Sequence, residues 1–399
     1  SHSLRRITMR LMRSSHLKQK PCVITSGCYF IHVPVKKGRV KALPFFYTCN
    51  KDINIMMYRT KAQSIKASAT NSLVEDLQHY FVYQLEKLAD SDSIIFEAVE
   101  WFRDEGRHGG GVRYVAIDER LFNRASVNVS QVHYDDDSTK HLASATALST
   151  IIHPQNPYAP SVHMHISWTE MRDGKGYWRL MADLNPAIEN KQATEQFNNT
   201  LKNVLNQQYK IAVAQGERYF YIPALERHRG VSHFYLEEYS SGNEQVDFNL
   251  ARNFGQAVID CYVAIFQKAI QESAKPTEES YNEQLAYHTL YLFQVLTLDR
   301  GTTSGLLVHK QNDVGIMGSL PAEIDKALLA SWQENLASPQ DQLLAAILDV
   351  LPDTKPCLID EKVKLALADV SRKHYKANPR ALALQAQGNI VPPTVQNHN

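Results

Sequence analysis

Polar and apolar residues alternate along VRYVAID (112–118), SVNVSQVHY (126–134), SVHMHISWTEM (161–171) and YWRLMADL (177–184). A period of two belongs to strands with one buried face. HRGVSHFYLEEY (228–239) is a further strand candidate. Apolar residues at three- and four-residue spacing predict helices over 72–90, 187–212, 253–274 and, near the C-terminus, 360–376. The strands follow one another through short polar turns, which predicts an antiparallel sheet. The long helices must then cover it, so the expected class is α+β: a large antiparallel β-sheet flanked by helices on both faces. Three regions follow: an N-terminal extension over 1–60, a continuous domain over 61–353, and a C-terminal helix and polar tail over 354–399.

Charge changes this picture at the N-terminus. The formal net charge is +1, yet residues 1–51 contain eleven Lys or Arg and no acid, leaving the remainder at −10. A basic arm on an acidic body implies an anionic partner: lipid head groups, an acidic protein subunit or RNA. The acid-free SLRRITMRLMRSS resembles a mitochondrial presequence, with Leu4, Ile7 and Leu11 on one helical face. No apolar run approaches the roughly 20 residues that cross a bilayer. The five cysteines form no C-x-x-C pair, which argues against a disulfide framework and suits a reducing compartment such as the mitochondrial matrix.

The densest candidate chemistry is IIHPQNPYAPSVHMHISW (151–168), with His153, His163 and His165 around three prolines and Asn156. Each of these residues also has a structural role open to it. The prolines and Asn156 can shape a loop, and His153 can be a hydrogen-bonded core residue. Asp183 and the pair Asp299–Arg300 can serve as buried ion pairs or helix caps. Trp101, Trp168, Trp178 and Trp332 are expected as core or interface anchors.

These segments, taken in order, resemble the oxygen-dependent coproporphyrinogen III oxidases. The likeness runs through WFRDEGRHGGGVRYV, FNRASVNVSQVH, LSTIIHPQNPYAPSVHMH, ADLNP, HRG before a strand ending in two acids, LDRGTTSGL, and SLP before a tryptophan helix. The resemblance implies a broad antiparallel sheet between helical layers, a homodimer, and oxidative decarboxylation of two propionates without an organic cofactor. It places His163 as proton donor, Asp183 as the carboxylate facing pyrrole N–H groups, and Asp299 with Arg300 as further catalytic positions. Ser149, His165, Ser167 and Lys310 fall at substrate-binding positions. His153 and His163 are two of the histidines proposed as metal ligands in the family. With only these two left, no metal is expected.

Several family features are changed. An arginine is replaced by Ser167, an Arg-Gly-Arg by His288-Thr289-Leu290, and a Gly-Gly-Arg by His309-Lys310-Gln311. Ala224, Gln196 and Asn198 stand where histidines are usual, and a glycine run becomes Arg179-Leu180-Met181-Ala182, which is expected to crowd the site. Each lost arginine–carboxylate contact costs on the order of 2–5 kcal/mol. The expectation is therefore an inactive relative recruited as a structural subunit of a large mitochondrial assembly. An inner-membrane ATP synthase or respiratory complex is preferred over a mitochondrial ribosome. The alternatives are a working oxidase with a rearranged site and a tetrapyrrole-binding or altered-substrate protein.

Overall fold

The alternating segments pair into one sheet of seven strands. The computed structural model describes residues 58–89, 95–116, 118–388 and 394–398; the basic arm expected over 1–60 lies almost wholly outside them. Strands β1 (Phe96–Phe102), β2 (Gly109–Ala116), β3 (Phe122–His133), β4 (Leu142–Pro154), β5 (Ser161–Met171) and β6 (Gly176–Asn185) form an antiparallel meander. The chain then leaves the sheet for two helices and returns as β7 (Ser232–Tyr239), antiparallel to β6. Close packing at the β1–β2–β3 edge depends on glycine. At Gly110, φ is +144° and a Cβ would come within 2.2 Å of the Trp101 carbonyl oxygen.

Side-chain alternation gives the sheet two different faces. On one, Val127, Val129, Leu148, Met164, Ile166, Leu180, Phe234 and Leu236 are buried. They pack against helices α1 (Ile65–Glu86), α2 (Lys191–Leu205) and α4 (Glu244–Glu272) through residues such as Phe81, Phe197 and Phe254. The other face is mainly polar. Its apolar positions, Ile151, Met181 and Tyr235, join a second core. That core is built from α3 (Tyr209–Tyr219), α5 (Glu278–Thr297), α6 (Arg300–Val308), α7 (Gln340–Val350) and α8 (Glu361–Ala377). The α+β layering with helices on both faces is thus observed.

Local chemistry moves several boundaries. The first helix begins at Ile65, ahead of the expected Ser72, because the Ser64 hydroxyl accepts from the Ala67 amide. The single helix expected over 187–212 is two. Asn190 caps α2, and Asn206, at φ 39°, breaks the chain into a 3₁₀ turn before α3. The C-terminal helix is placed as expected, and its Leu367 and Tyr375 lie in the second core. Trp101, Trp168 and Trp178 are buried, and Trp332 packs edge-on against Phe293. HPQNPYAP forms the β4–β5 connection, where the Asn156 side chain accepts from the Tyr158 amide at 2.9 Å. Among the described residues, no helix is long and apolar enough to cross a membrane.

Candidate active-site cavity

The polar face of the sheet forms the wall of a cavity of about 320 Å³, closed on the other side by α5, α6 and the turn after α6. Period-two alternation aligns its lining in cross-strand rows. Ser149 is registered with His165 and His165 with Met181; Ser167 is registered with Arg179. Ile151, His163, Asp183 and His233 form the adjacent row, of which Ile151 and His163 reach the cavity.

In that row His163 Nδ1 lies 2.8 Å from Asp183 Oδ1. An ionised carboxylate only accepts, so Nδ1 holds the proton and Nε2 is left to the cavity. The other Asp183 oxygen accepts from Arg229 Nη2 and from Asn185 Nδ2, both at 2.7 Å. Asp183 is fully buried, and Arg229 nearly so. Burial opposes the ionised form of Asp183, but Arg229 and then His163 outweigh it and hold the carboxyl below its ordinary range. Arg229 also stacks over Phe220 and Tyr291, at 4.8 and 4.6 Å from the ring centroids.

A second polar group sits along the cavity from this dyad. Register shifts where β6 meets β7, and Glu238 adopts φ 50° in the extra-residue segment. Such a bulge re-aims neighbouring side chains. Here Glu237 Oε1 lies 3.8 Å from Arg179 and 4.0 Å from Arg300, and accepts from Tyr235 Oη at 2.5 Å. Burial raises the Glu237 pKa, opposed first by Arg179. Tyr219 Oη donates to Asp299 Oδ1 at 2.8 Å, while Asp299 Oδ2 caps α6 by accepting from the Thr302 amide. Burial, with Arg179 and His163 adding to it, pushes His165 well below its ordinary value, so the ring is neutral.

The sequence-derived candidates separate accordingly. Ser149, His163, His165, Ser167, Asp299 and Arg300 line one cavity; Asp183 stands behind its wall, reached only through His163 and Arg229. Lys310 does not line the cavity and is exposed on the 3₁₀ turn after α6, so the chain direction there carries it away from the expected substrate position. His153 is a core residue, fully buried, hydrogen-bonded to Ser161 Oγ and the Ser319 carbonyl. It packs against His288, whose ring burial holds near pKa 3, and among the described residues neither His153 nor His163 belongs to a group of three or more ligand-type side chains.

Other lining residues carried no individual signal. Arg179, expected only as bulk, supplies a guanidinium to the cavity. Arg229 and Glu237 lay within HRG and the two-acid strand end, but nothing local identified their partners. The C-terminal tail was unexpected here: Thr394, Asn397 and His398 line the cavity, and His398 Nδ1 lies 2.8 Å from Tyr134 Oη. Chemically, the arrangement offers an imidazole oriented by a buried carboxylate for proton transfer, beside three arginines that can meet carboxylates.

The family model for coproporphyrinogen III oxidase matches residues 69–352. The rat mitochondrial oxygen-dependent coproporphyrinogen-III oxidase (Rattus norvegicus) is 28% identical over 76% of this chain and 68% of that protein. The human mitochondrial enzyme (Homo sapiens) is 28% identical over 64% of this chain and 60% of that protein. An oxygen-dependent coproporphyrinogen-III oxidase of Prochlorococcus marinus is 27% identical over 71% and 88%, respectively.

Proposed function

The chain belongs to the coproporphyrinogen III oxidase family, and from that premise we propose that it does not turn over coproporphyrinogen and acts instead as a structural protein. One observation carries this reading: both oxygens of Asp183 are bound within the protein, by His163, Arg229 and Asn185. With three of its roughly four lone-pair directions taken and no surface exposed, this carboxylate cannot meet the several N–H groups at the centre of a macrocycle unless Arg229 or His163 gives way. Removing one partner from a buried pair costs about 3–5 kcal/mol, which ligand binding would have to offset.

The cavity's charge supports the same reading. Its three guanidinium groups already have carboxylates close by: Arg229 on Asp183, and Arg179 and Arg300 around Glu237. Four propionates would therefore add negative charge to a nearly balanced site, at a desolvation cost that unpaired carboxylates do not recover. At about 320 Å³ the cavity is also at the small end of the roughly 300–1,000 Å³ typical of small-molecule sites.

The finer role is a subunit of a large mitochondrial assembly, with an inner-membrane ATP synthase or respiratory complex ahead of a ribosome. The basic residues 1–51 would engage anionic lipid, an acidic subunit or RNA, and the oxidase-like domain would carry any homodimer contact. The mitochondrial designation of the rat and human relatives favours that compartment. The test has two arms. Purified chain incubated aerobically with coproporphyrinogen III should yield no protoporphyrin fluorescence after oxidation, and tagged chain should co-migrate with a megadalton complex on native gels. Turnover at the rate of an active family member sinks the first claim; migration as a free protomer or dimer sinks the second.

A working oxidase is the competing reading, favoured by His163 presenting Nε2 to a cavity that holds Arg179, Arg229 and Arg300. In that case His163→Ala abolishes turnover while leaving the fold intact.

A further inference from the structure

Away from the cavity lining, three ligand-type side chains converge where α3 ends and β7 begins. Glu217 lies in the last turn of α3, His228 on the two-residue ribbon that follows, and His233 near the start of β7. Glu217 Oε1 is 2.7 Å from His233 Nδ1, and Glu217 Oε2 is 3.1 Å from His228 Nε2. One donor atom from each residue lies within 4.8 Å of the other two, the one such group among the described residues. His228 stacks on His233 at 5.1 Å, and His233 on Phe220 at 5.4 Å.

The proton inventory is informative. His233 Nε2 lies 2.7 Å from the Arg229 carbonyl oxygen, which only accepts, so Nε2 carries a proton. In the neutral ring Nδ1 then presents a lone pair to a carboxylate oxygen 2.7 Å away. Two acceptors at that distance require either a proton, on the ring or on the carboxyl, or a metal ion between them. A histidine whose other nitrogen donates to a backbone carbonyl is the usual arrangement of a metal ligand, because the bond fixes both tautomer and ring plane.

We propose that Glu217, His228 and His233 form a binding site for one zinc ion, separate from the cavity. Two imidazoles and one carboxylate suit a borderline divalent cation and exclude magnesium and calcium, which take oxygen shells. Zinc ligand bonds of about 2.1 Å in a tetrahedron separate the donors by about 3.4 Å. The present spacings of 2.7 and 3.1 Å must therefore open by about 0.7 and 0.3 Å. His233 is fixed, with 3% of its side chain exposed; Glu217 and His228, at 47% and 35%, are able to move outward. Water takes the fourth position. On binding, the His228 ring proton moves from Nε2, where it now points at the Glu217 carbonyl oxygen, to Nδ1, and the proton between His233 and Glu217 is released to solvent. The ion ties α3 to the segment carrying Arg229, whose carbonyl orients His233 and whose guanidinium holds Asp183.

The test uses full-length chain stripped with chelator. Zinc titrated calorimetrically should bind at one equivalent, and cobalt in its place should give the intense visible absorption of a four-coordinate site. Glu217→Gln and His228→Ala, at half-exposed positions, should each weaken zinc binding at least tenfold, and zinc should raise the Tm of the native chain but not of these variants. His79→Ala, on the exposed side of α1, should bind as the native chain does. Absence of stoichiometric binding overturns the proposal. So does binding that survives both substitutions undiminished, since the metal then sits elsewhere. A variant that loses its fold is identified by its metal-free Tm, and the other variant then decides.

Discussion

Replacing Arg229 with Met isolates the buried ion pair behind the cavity wall. The change leaves Asp183 fully buried and still bonded to His163 and Asn185, but without its cation. Breaking such a pair from one side costs about 3–5 kcal/mol. The two surviving donors place Arg229→Met near the lower end. Loss of the stacking on Phe220 and Tyr291 then adds roughly 1 kcal/mol, so the expected destabilisation is about 4 kcal/mol. Adding Asp183→Asn should recover at least half of this, because the residual buried charge disappears. Urea denaturation at several pH values provides the assay. In the native chain Asp183 is held below its unfolded pKa of about 3.9, so its contribution is fully present above that value and is lost as pH falls through the folded pKa. Arg229→Met should flatten that acid limb. If the variant loses under 1 kcal/mol and keeps the native limb, Asp183 is not held by Arg229, and the objection to macrocycle binding fails with it.

His288 is buried with neither ring nitrogen hydrogen-bonded and a pKa pushed down to about 3. Below the unfolded value near 6.5 the unfolded chain binds the extra proton, so the native residue costs about 1.4 kcal/mol per pH unit. His288→Leu should therefore gain about 2 kcal/mol relative to native on moving from pH 7 to pH 5, measured by urea midpoints; an unchanged gap refutes the burial argument. At Gly216 a Cβ would stand 2.7 Å from the His233 carbonyl carbon, where α3 presses on β7. Gly216→Ala should cost about 1–3 kcal/mol by overpacking, despite improved helix propensity, and a stabilised variant would contradict it. Asp299→Ala should cost about 1–2 kcal/mol through loss of the α6 cap and the Tyr219 bond, while Asp299→Asn retains most of the stability in thermal unfolding. Equal loss in both variants would show that the charge, and not the cap, matters.

The elements legible in sequence were those whose burial is one-sided. β5 spans Ser161–Met171, the bounds its alternation predicts, because one face meets the helical layer and the other meets the cavity. β4 has the same geometry, but its half-buried positions are Ala143, Ala145, Ala147 and Ser149, too small to mark a period. Much of α5 is buried all round from Tyr287 to Thr297, which erases the amphipathic stripe on which helix detection rests. The site divides along the same line. His163, His165 and Ser167 share a strand face and could be placed together from the period alone. Asp183 and Arg229 are separated by 46 residues, and their bond depends on how β7 returns beside β6, a tertiary fact with no local trace. The charge of Arg179 is hard to weigh from sequence, because replacing a glycine reads first as added volume.

That added charge narrows what the cavity can hold. Arg179 and Arg300 straddle a single Glu237 oxygen at 3.8 and 4.0 Å, longer than a direct hydrogen bond, while Glu237 Oε2 is buried with no hydrogen-bond partner. Burial raises the pKa of this carboxyl group while the two guanidiniums oppose that rise, so a small anion that met the arginines would compete with Glu237 for them. Asp183 offers no comparable flexibility, since its partners hold it ionised. The arginines of this cavity thus split into one held by a fully buried carboxylate and a pair that shares a single Glu237 oxygen. On the proposed reading, a ligand carrying one carboxylate suits that pair better than four propionates on a rigid ring do. A mono-carboxylate that binds competitively with Arg179→Gln-sensitive affinity, alongside no measurable affinity for coproporphyrinogen III, would be the expected binding profile; tight coproporphyrinogen binding indifferent to Arg179→Gln would refute this division of charge.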